Sequence, residues 1–263
     1  GPGLNIIRNP LGGRTFEYYS EDPYVSGEMA SALVRGIQSQ QVAACVKHFA
    51  VNSQEHLRMS IDEIVDERAL HEIYLEGFRR AIMSSHPRFV MSSYNKINGT
   101  YANENRHLLA ETLYGEWGYD GVVVTDWGAN NDKIAGVLAG SCLEMPSAGG
   151  STDAEVVAAV KSGALDEAIL DERVDTLVDF ALSTKNTPTP RSVDFDAHHQ
   201  QAITAAAESI VLLKNEGATL PLQARTKVAV IGNFAKTPRY QGAGSSLVTP
   251  TRLVSPFEAL EAS

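Results

Sequence analysis

The sequence predicts an α/β fold, a parallel sheet with helices packed on its faces. Two observations carry this. Along residues 41–127, short β-branched runs alternate with amphipathic segments of helical period, and strand–helix–strand–helix–strand is the order that parallel pairing requires. Three successive runs also end in polar residues, Lys47-His48, Tyr94-Asn95 and Asp126-Trp127. In α/β barrels and in open α/β sheets alike, the carboxyl ends of the strands face one side, where sites are built.

Each element has its own warrant. "QVAACVKHF", Gln41 to Phe49, reads as a short buried strand. Asp66 to Ser85 places Leu70, Ile73, Tyr74, Phe78 and Ile82 on one helical face behind Asp66 as N-cap. "RFVMSSYN" is the next strand, Asn105 to Trp117 a helix, and "GVVVTDW" a third strand whose three valines favour extended backbone. Asp153–Ser162 and Asp166–Leu182 are expected as amphipathic helices. "STKNTPTPRSVDFDAHH" is Pro- and Thr-rich without period, which reads as a linker. Beyond it come a helix running into a strand ("QQAITAAAESIVLLKN"), a buried strand ("KVAVIGNFA") and a Gly-Ser loop ("QGAGSSLVTP"). These read as the beginning of a second α/β domain, starting near residue 195 and incomplete.

Bulk properties narrow the function classes. With 263 residues, 43% of them hydrophobic, the chain can form one large domain or two smaller ones. A net charge of -10 argues against nucleic acid or an anionic membrane as partner. No run approaches the roughly 20 apolar residues that span a bilayer. Cys45 and Cys142 fit no CxxC spacing and are expected as small buried hydrophobes. The chain opens "GPGLNIIRNP", without initiator Met or signal segment, and reads as an internal portion of a longer polypeptide. A periplasmic or secreted location is expected ahead of a cytoplasmic one, and a homo-oligomer is compatible with the sequence.

The candidate residues each have a bland alternative. Asp126 either caps a helix starting near Asn130 or is the working end of a site; the adjacent Trp127 favours the site, because an aromatic at a strand's mouth is a platform for a sugar ring or a similar flat apolar face. Lys47-His48 is either a structural pair or a set of donors that grips hydroxyls and holds a carboxylate ionised. Arg14 and Glu17 form a surface ion pair, or the two glycines before Arg14 make a tight turn that aims its guanidinium. The "GAGSS" loop lacks the Lys-Ser/Thr ending of a P-loop. His198-His199 has no partner at ligand spacing, so neither metal nor cofactor is expected.

Several stretches, in this order, resemble the glycoside hydrolase family 3 enzymes, and in particular their β-glucosidase branch: "NPLGGRTFEYYSEDP", "VAACVKHFAVN", "RALHEIYLEGF", "MSSYNKINGTYANEN", "GYDGVVVTDWGA", "LEMP" and "AAAESIVLLKNEGATLPL". The resemblance implies a (β/α)₈-like barrel over residues 1–183, partial in this chain, then a linker at 184–194 and the start of an α/β sandwich over 195–263. It implies a retaining, exo-acting hydrolase of β-linked glucosides or short oligosaccharides. Asp126 would be the nucleophile, in the family's Ser/Thr-Asp-Trp motif. Arg14, Lys47, His48 and Tyr94 fall on sugar-binding positions, with Met91 and Trp127 lining the same subsite. The loop near Gly244–Ser246 resembles the one by which the family's second domain leans over the barrel.

Two departures qualify the match. The motif usually written Asp-Leu-Glu-Met-Pro reads Cys142-Leu143-Glu144-Met145-Pro146, which puts a role for its first carboxylate in doubt. The family's upstream sugar-binding Asp and its general acid/base Glu have no counterparts among these residues, so both are expected in the remainder of the same polypeptide. "KHFAVNSQEHLRMS" differs from the Gly-His loop of the family's N-acetylglucosaminidases and favours a glucosidase or a xylosidase. Two other classes stay open: a Schiff-base barrel aldolase using Lys47, and a sugar-binding protein without turnover.

Overall fold

The computed structural model describes residues 1–184, 192–242 and 244–262. The chain divides into two compact units, Gly1–Pro188 and Thr189–Ser263. Residues 185–191 of the expected linker, and Ala243 of the Gly-Ser loop, lie outside the described residues.

In the first unit, α1 (Pro23–Gln38) starts behind Asp22, whose carboxylate accepts from the Tyr24 N–H at 2.8 Å. Strand β1 (Cys45–Phe49) follows, then the short β2 (Asp62–Glu63), α2 (Glu67–Ala69) and α3 (Glu76–Ser85). Strand β3 (Phe89–Ser92), the small strands β4 (Lys96–Ile97) and β5 (Thr100–Tyr101) and a π-helical segment (His107–Glu116) lead to β6 (Val122–Thr125). Helices α4 (Lys133–Ala139), α5 (Ser151–Ser162) and α6 (Glu167–Ser183) complete the unit.

The main sheet runs β1-β3-β6, all parallel, with Val90 opposite both Val46 and Val123. Backbone bridges extend it at both edges: Gly3 pairs with Lys47, and Leu143 with Val124, again in parallel. Spatial order therefore equals chain order across all five segments, without the reversal that marks a doubly wound sheet. That is the progression of a partial (β/α) barrel, as the family resemblance implies. Its core holds Val46, Phe49, Phe78, Val90, Leu109, Leu113 and Val123, all buried, with Phe49 edge-on to Phe78 at 5.1 Å and to Trp117 at 5.8 Å. Helices α1 and α3 approach closely: a β-carbon on Gly27 would stand 2.8 Å from Arg80 Cβ and 3.1 Å from the Gly77 carbonyl.

Two helices depart from the α period. Asp66 is the N-cap, accepting from Ala69 N–H at 3.0 Å, but between α2 and α3 the backbone makes a π turn over Leu70–Tyr74. The extra residue advances the phase, so Leu75 is buried in place of Ile73, which is 41% exposed, while Leu70, Phe78 and Ile82 stay inside. The segment expected as a helix from Asn105 to Trp117 is likewise π-helical over His107–Glu116. β1 is shorter than the Gln41–Phe49 stretch, since residues 41–44 form no ladder.

The second unit carries α7 (Phe195–Ser209), capped by Asp194, a 3-10 turn at Gly244–Ser246, and α8 (Pro256–Ala262). No strand forms among its described residues. This corrects two expectations: Val228, Val230 and Ile231 of "KVAVIGNFA" are exposed, as are Ile210–Leu213 after α7. An extended segment becomes a strand only when a neighbour takes its hydrogen bonds, and none does so here among the described residues.

Candidate active site

Three parallel strands deliver polar side chains to their common carboxyl end. At the end of β1, the register against β3 shifts between Val46 and Phe49; such an irregularity re-aims side chains next to sites. His48 is 1% exposed and fixed through its backbone by Asn5, whose Nδ2 donates to the His48 carbonyl at 2.9 Å and whose Oδ1 accepts its N–H at 2.8 Å. Its ring Nδ1 lies 3.0 Å from Tyr18 Oη, and Nε2 3.6 Å from Asp126 Oδ2.

Burial, then the charges of Arg14 and Lys47, push the His48 imidazole down to about 2, so it is neutral at ordinary pH. Burial raises the Tyr18 phenol, which stays protonated and able to donate to Nδ1. The Asp126 carboxylate facing Nε2 favours the ring proton on that nitrogen, which leaves Nδ1 to accept from the phenol.

Asp126 follows β6 directly. Its N–H donates to the Ser92 carbonyl of β3 at 3.1 Å, and its Oδ1 accepts the Trp127 N–H at 2.7 Å. Oδ2 is buried and has no hydrogen-bond partner among the described residues. The cap alternative is excluded by geometry: Asp132 caps α4, accepting from Ala135 N–H at 2.9 Å.

Tyr94, beyond the end of β3, donates to the Trp127 carbonyl at 3.1 Å, and Arg58 stacks over its ring at 4.6 Å. Burial and then the Asp126 charge raise the Tyr94 phenol to about 12. Trp127 presents an indole that is 53% exposed. Met91 lies on β3 beside Val124 and is partly buried.

Around these runs an alternating charge chain. Arg14 Nε bonds Glu17 and lies 3.9 Å from Glu55; Lys47 Nζ is 3.5 Å from Glu17; Arg58 donates to Glu55 at 2.8 Å. Arg14 is thus both an ion-pair partner and only 18% exposed. The arrangement brings His48, Tyr94, Asp126 and Trp127 together, with Arg14 and Lys47 joined to the charge chain. Tyr18, Asn5 and Arg58 end no strand, so no pattern marks them; only proximity in space identifies them.

Cys142, where the family motif has Asp, sets its Sγ 3.5 Å from both Tyr114 Oη and the Gly140 carbonyl. Both cysteines are free and partly buried, and burial pushes the Cys45 thiol up to about 11.

Comparison with known proteins agrees with this architecture. Residues 1–179 match the glycosyl hydrolase family 3 N-terminal domain, and residues 210–263 its C-terminal domain. Thermostable beta-glucosidase B of Acetivibrio thermocellus is 53% identical over 262 residues, 99% of this chain and 35% of that protein. The exo-alpha-(1->6)-L-arabinopyranosidase of Bifidobacterium longum is 46% identical over 271 residues, covering 99% and 36%. The structure of beta-glucosidase 3B from Thermotoga neapolitana in complex with alpha-D-glucose superposes with a TM-score of 0.94 at 43% identity, over 100% of this chain and 38% of that one. The chain thus spans about a third of the length of the curated relatives it matches. Because the N-terminal domain match covers residues 1–179 of the 263 in this chain, the chain belongs to glycosyl hydrolase family 3.

Proposed function

We propose that this chain forms the sugar-binding barrel of a retaining, exo-acting β-glucosidase, with Asp126 as its nucleophile. One observation carries the reading. Asp126 is 7% exposed at the end of a central strand, with Oδ1 held by Trp127 N–H and Oδ2 without a donor. A buried carboxylate oxygen left unpaired is costly to stability unless a ligand or a reaction uses it.

In the reaction, Asp126 Oδ2 attacks the anomeric carbon as the bond to the aglycone oxygen breaks and an acid protonates that oxygen. A covalent glycosyl-enzyme forms, and water, deprotonated by the same residue, then releases the sugar with its configuration retained. His48 Nε2–H, Lys47 and Arg14 donate to sugar hydroxyls, and such bonds strengthen as oxocarbenium character develops. Trp127 offers its exposed ring to the sugar's apolar face.

Retention needs the acid/base roughly 5–5.5 Å from the nucleophile. Glu17 and Glu55 are engaged by Arg14, Lys47 and Arg58, and Glu144 by Lys133 and Thr152. We therefore assign the acid/base to a part of the polypeptide outside these 263 residues.

A second reading has specific support: a relative at 46% identity is an exo-alpha-(1->6)-L-arabinopyranosidase. A β-D-xyloside lacks only the C6 hydroxymethyl of glucose, whereas an α-L-arabinopyranoside lacks it and also carries an axial O4, so the readings differ at C5 and, for arabinose, at C4 as well. The test uses the full-length protein and a 2-deoxy-2-fluoro-β-glucoside, with the labelled peptide mapped by mass spectrometry. Label on Asp126 is expected, and label on another carboxylate would sink the assignment. kcat/KM for glucoside, xyloside and arabinopyranoside ranks the sugars. Borohydride trapping of Lys47 would instead support an aldolase, and binding without turnover a sugar-binding protein.

A further inference from the structure

The geometry points to a divalent transition-metal site, suited to Zn²⁺, formed by Glu67, His71 and His107 on the helical side of the first unit. One donor atom from each residue lies within 4.8 Å of the other two. Glu67 Oε2 is 3.2 Å from His107 Nε2 and 3.5 Å from His71 Nε2. Donors held at about 2.0–2.2 Å around a tetrahedral zinc stand roughly 3.3–3.5 Å apart. Two of the three edges therefore already have a metal site's dimensions. The third, between the imidazoles, closes by rotation of the His71 side chain, which is 36% exposed.

Two further features favour a metal over a plain ion-pair cluster. His107 uses its other nitrogen: Nδ1 lies 3.1 Å from Glu111 Oε2. That carboxylate–histidine pairing fixes the ring and directs Nε2 at the Glu67 oxygen, as outer carboxylates do for histidines that bind zinc. Beside the cluster is a cavity of about 200 Å³ lined by Glu67, His107, Thr100 and Asn105 among others. It leaves room for the water that completes four-coordination. Two imidazoles and one carboxylate suit zinc rather than magnesium or calcium, which prefer all-oxygen shells.

The placement suggests what the ion does. Glu67 and His71 lie one turn apart at the start of the helical connection from β1 to β3, across the beginning of the π turn. His107 opens the π-helical segment that leads into β6. An ion held here clamps two consecutive βα units, a stabilising cross-link between chain segments about 40 residues apart. The three residues are scattered in the sequence; the Glu-x-x-x-His spacing at 67–71 is the only local trace. The expectation of no metal, drawn from His198-His199, did not consider them.

The test uses full-length enzyme stripped with EDTA and titrated with Zn²⁺ against a chromophoric chelator. The parent should bind one equivalent more than His71→Gln or His107→Gln. Glu111→Gln should keep that equivalent with affinity about 10- to 100-fold weaker. Zinc should raise the melting temperature of the parent and leave that of the histidine variants unchanged, with metal-free kcat/KM the same in all. Should His107→Gln unfold, His71→Gln alone decides, since its ring is a third exposed. Equal zinc stoichiometry in parent and His71→Gln overturns the site, and so does a parent that takes up no zinc at micromolar free ion.

Discussion

His48 Nε2 stands 3.6 Å from Asp126 Oδ2, a neutral imidazole on β1 facing a buried carboxylate at the end of β6, with β3 between the two strands. The distance is too long for a strong hydrogen bond. A gap this short admits no atom between the two groups; in the proposed function both address the sugar from one side, with Tyr18 against the far ring nitrogen.

Tyr18→Phe tests the placement of the ring proton on Nε2. Removing the hydroxyl leaves the ring in place but frees His48 to carry its proton on Nδ1, turning a lone pair toward Asp126 and the sugar. The expected loss is about 0.5–1.5 kcal/mol of transition-state binding, or roughly two- to thirteenfold in kcat/KM, with the melting temperature little changed. Unaltered kcat/KM would mean that Tyr18 does not set the tautomer.

The depressed imidazole also predicts a pH dependence. In the native protein His48 holds off its proton down to about pH 2, whereas the unfolded chain takes one up near 6.5. Between those values the unfolded state binds more protons, so this residue's contribution is intact above 6.5 and is lost as pH falls, by up to about 1.4 kcal/mol per unit. His48→Gln in the full-length enzyme should therefore be destabilised at pH 7, with the gap to the parent narrowing between pH 6.5 and 4.5. A gap that stays constant in thermal unfolding across that range would show that native His48 titrates normally.

What could be read from the sequence divides along a physical line. Features set by short-range chemistry were legible: the parallel alternation, the Asp66 cap, the "VVVT" strand and the polar strand ends. Features set by non-local geometry were not. No period announces that Leu75 rather than Ile73 turns inward, because the π turn is a response to packing. Nor does any spacing bring Asn5 to the His48 backbone 43 residues away. The apolar run of residues 228–231 reads as a strand because composition reports burial tendency, while a ladder also needs a neighbour.

The π turn yields a stability contrast. Leu75 is 1% exposed within the core, whereas Ile73, two residues earlier, is 41% exposed. Leu75→Ala should cost about 2–5 kcal/mol through lost burial and the cavity left behind. Ile73→Ala should cost about 0.5 kcal/mol or less. A regular α-helix through this stretch would narrow or reverse the difference, so paired thermal unfolding of the two full-length variants decides the phase.

Asp126 and Asp132 lie six residues apart, and their geometries assign them opposite consequences. Asp132→Ala removes the carboxylate that receives the Ala135 N–H, and should cost about 1 kcal/mol of stability while leaving turnover near that of the parent. Asp126→Gly removes no cap; it deletes the group proposed to attack the anomeric carbon, so kcat should fall on the order of 10⁴-fold or more without a matching loss of melting temperature. The glycine also opens space where a small anion can act in place of the carboxylate. With a dinitrophenyl β-glucoside, whose leaving group departs unprotonated, azide should attack from the face opposite the aglycone and restore turnover. The product would be α-glucosyl azide, with the dinitrophenolate released. Recovery of β-glucosyl azide, or azide-independent activity in Asp126→Gly, would remove Asp126 from the nucleophile's role and leave it as a positioning group for Trp127.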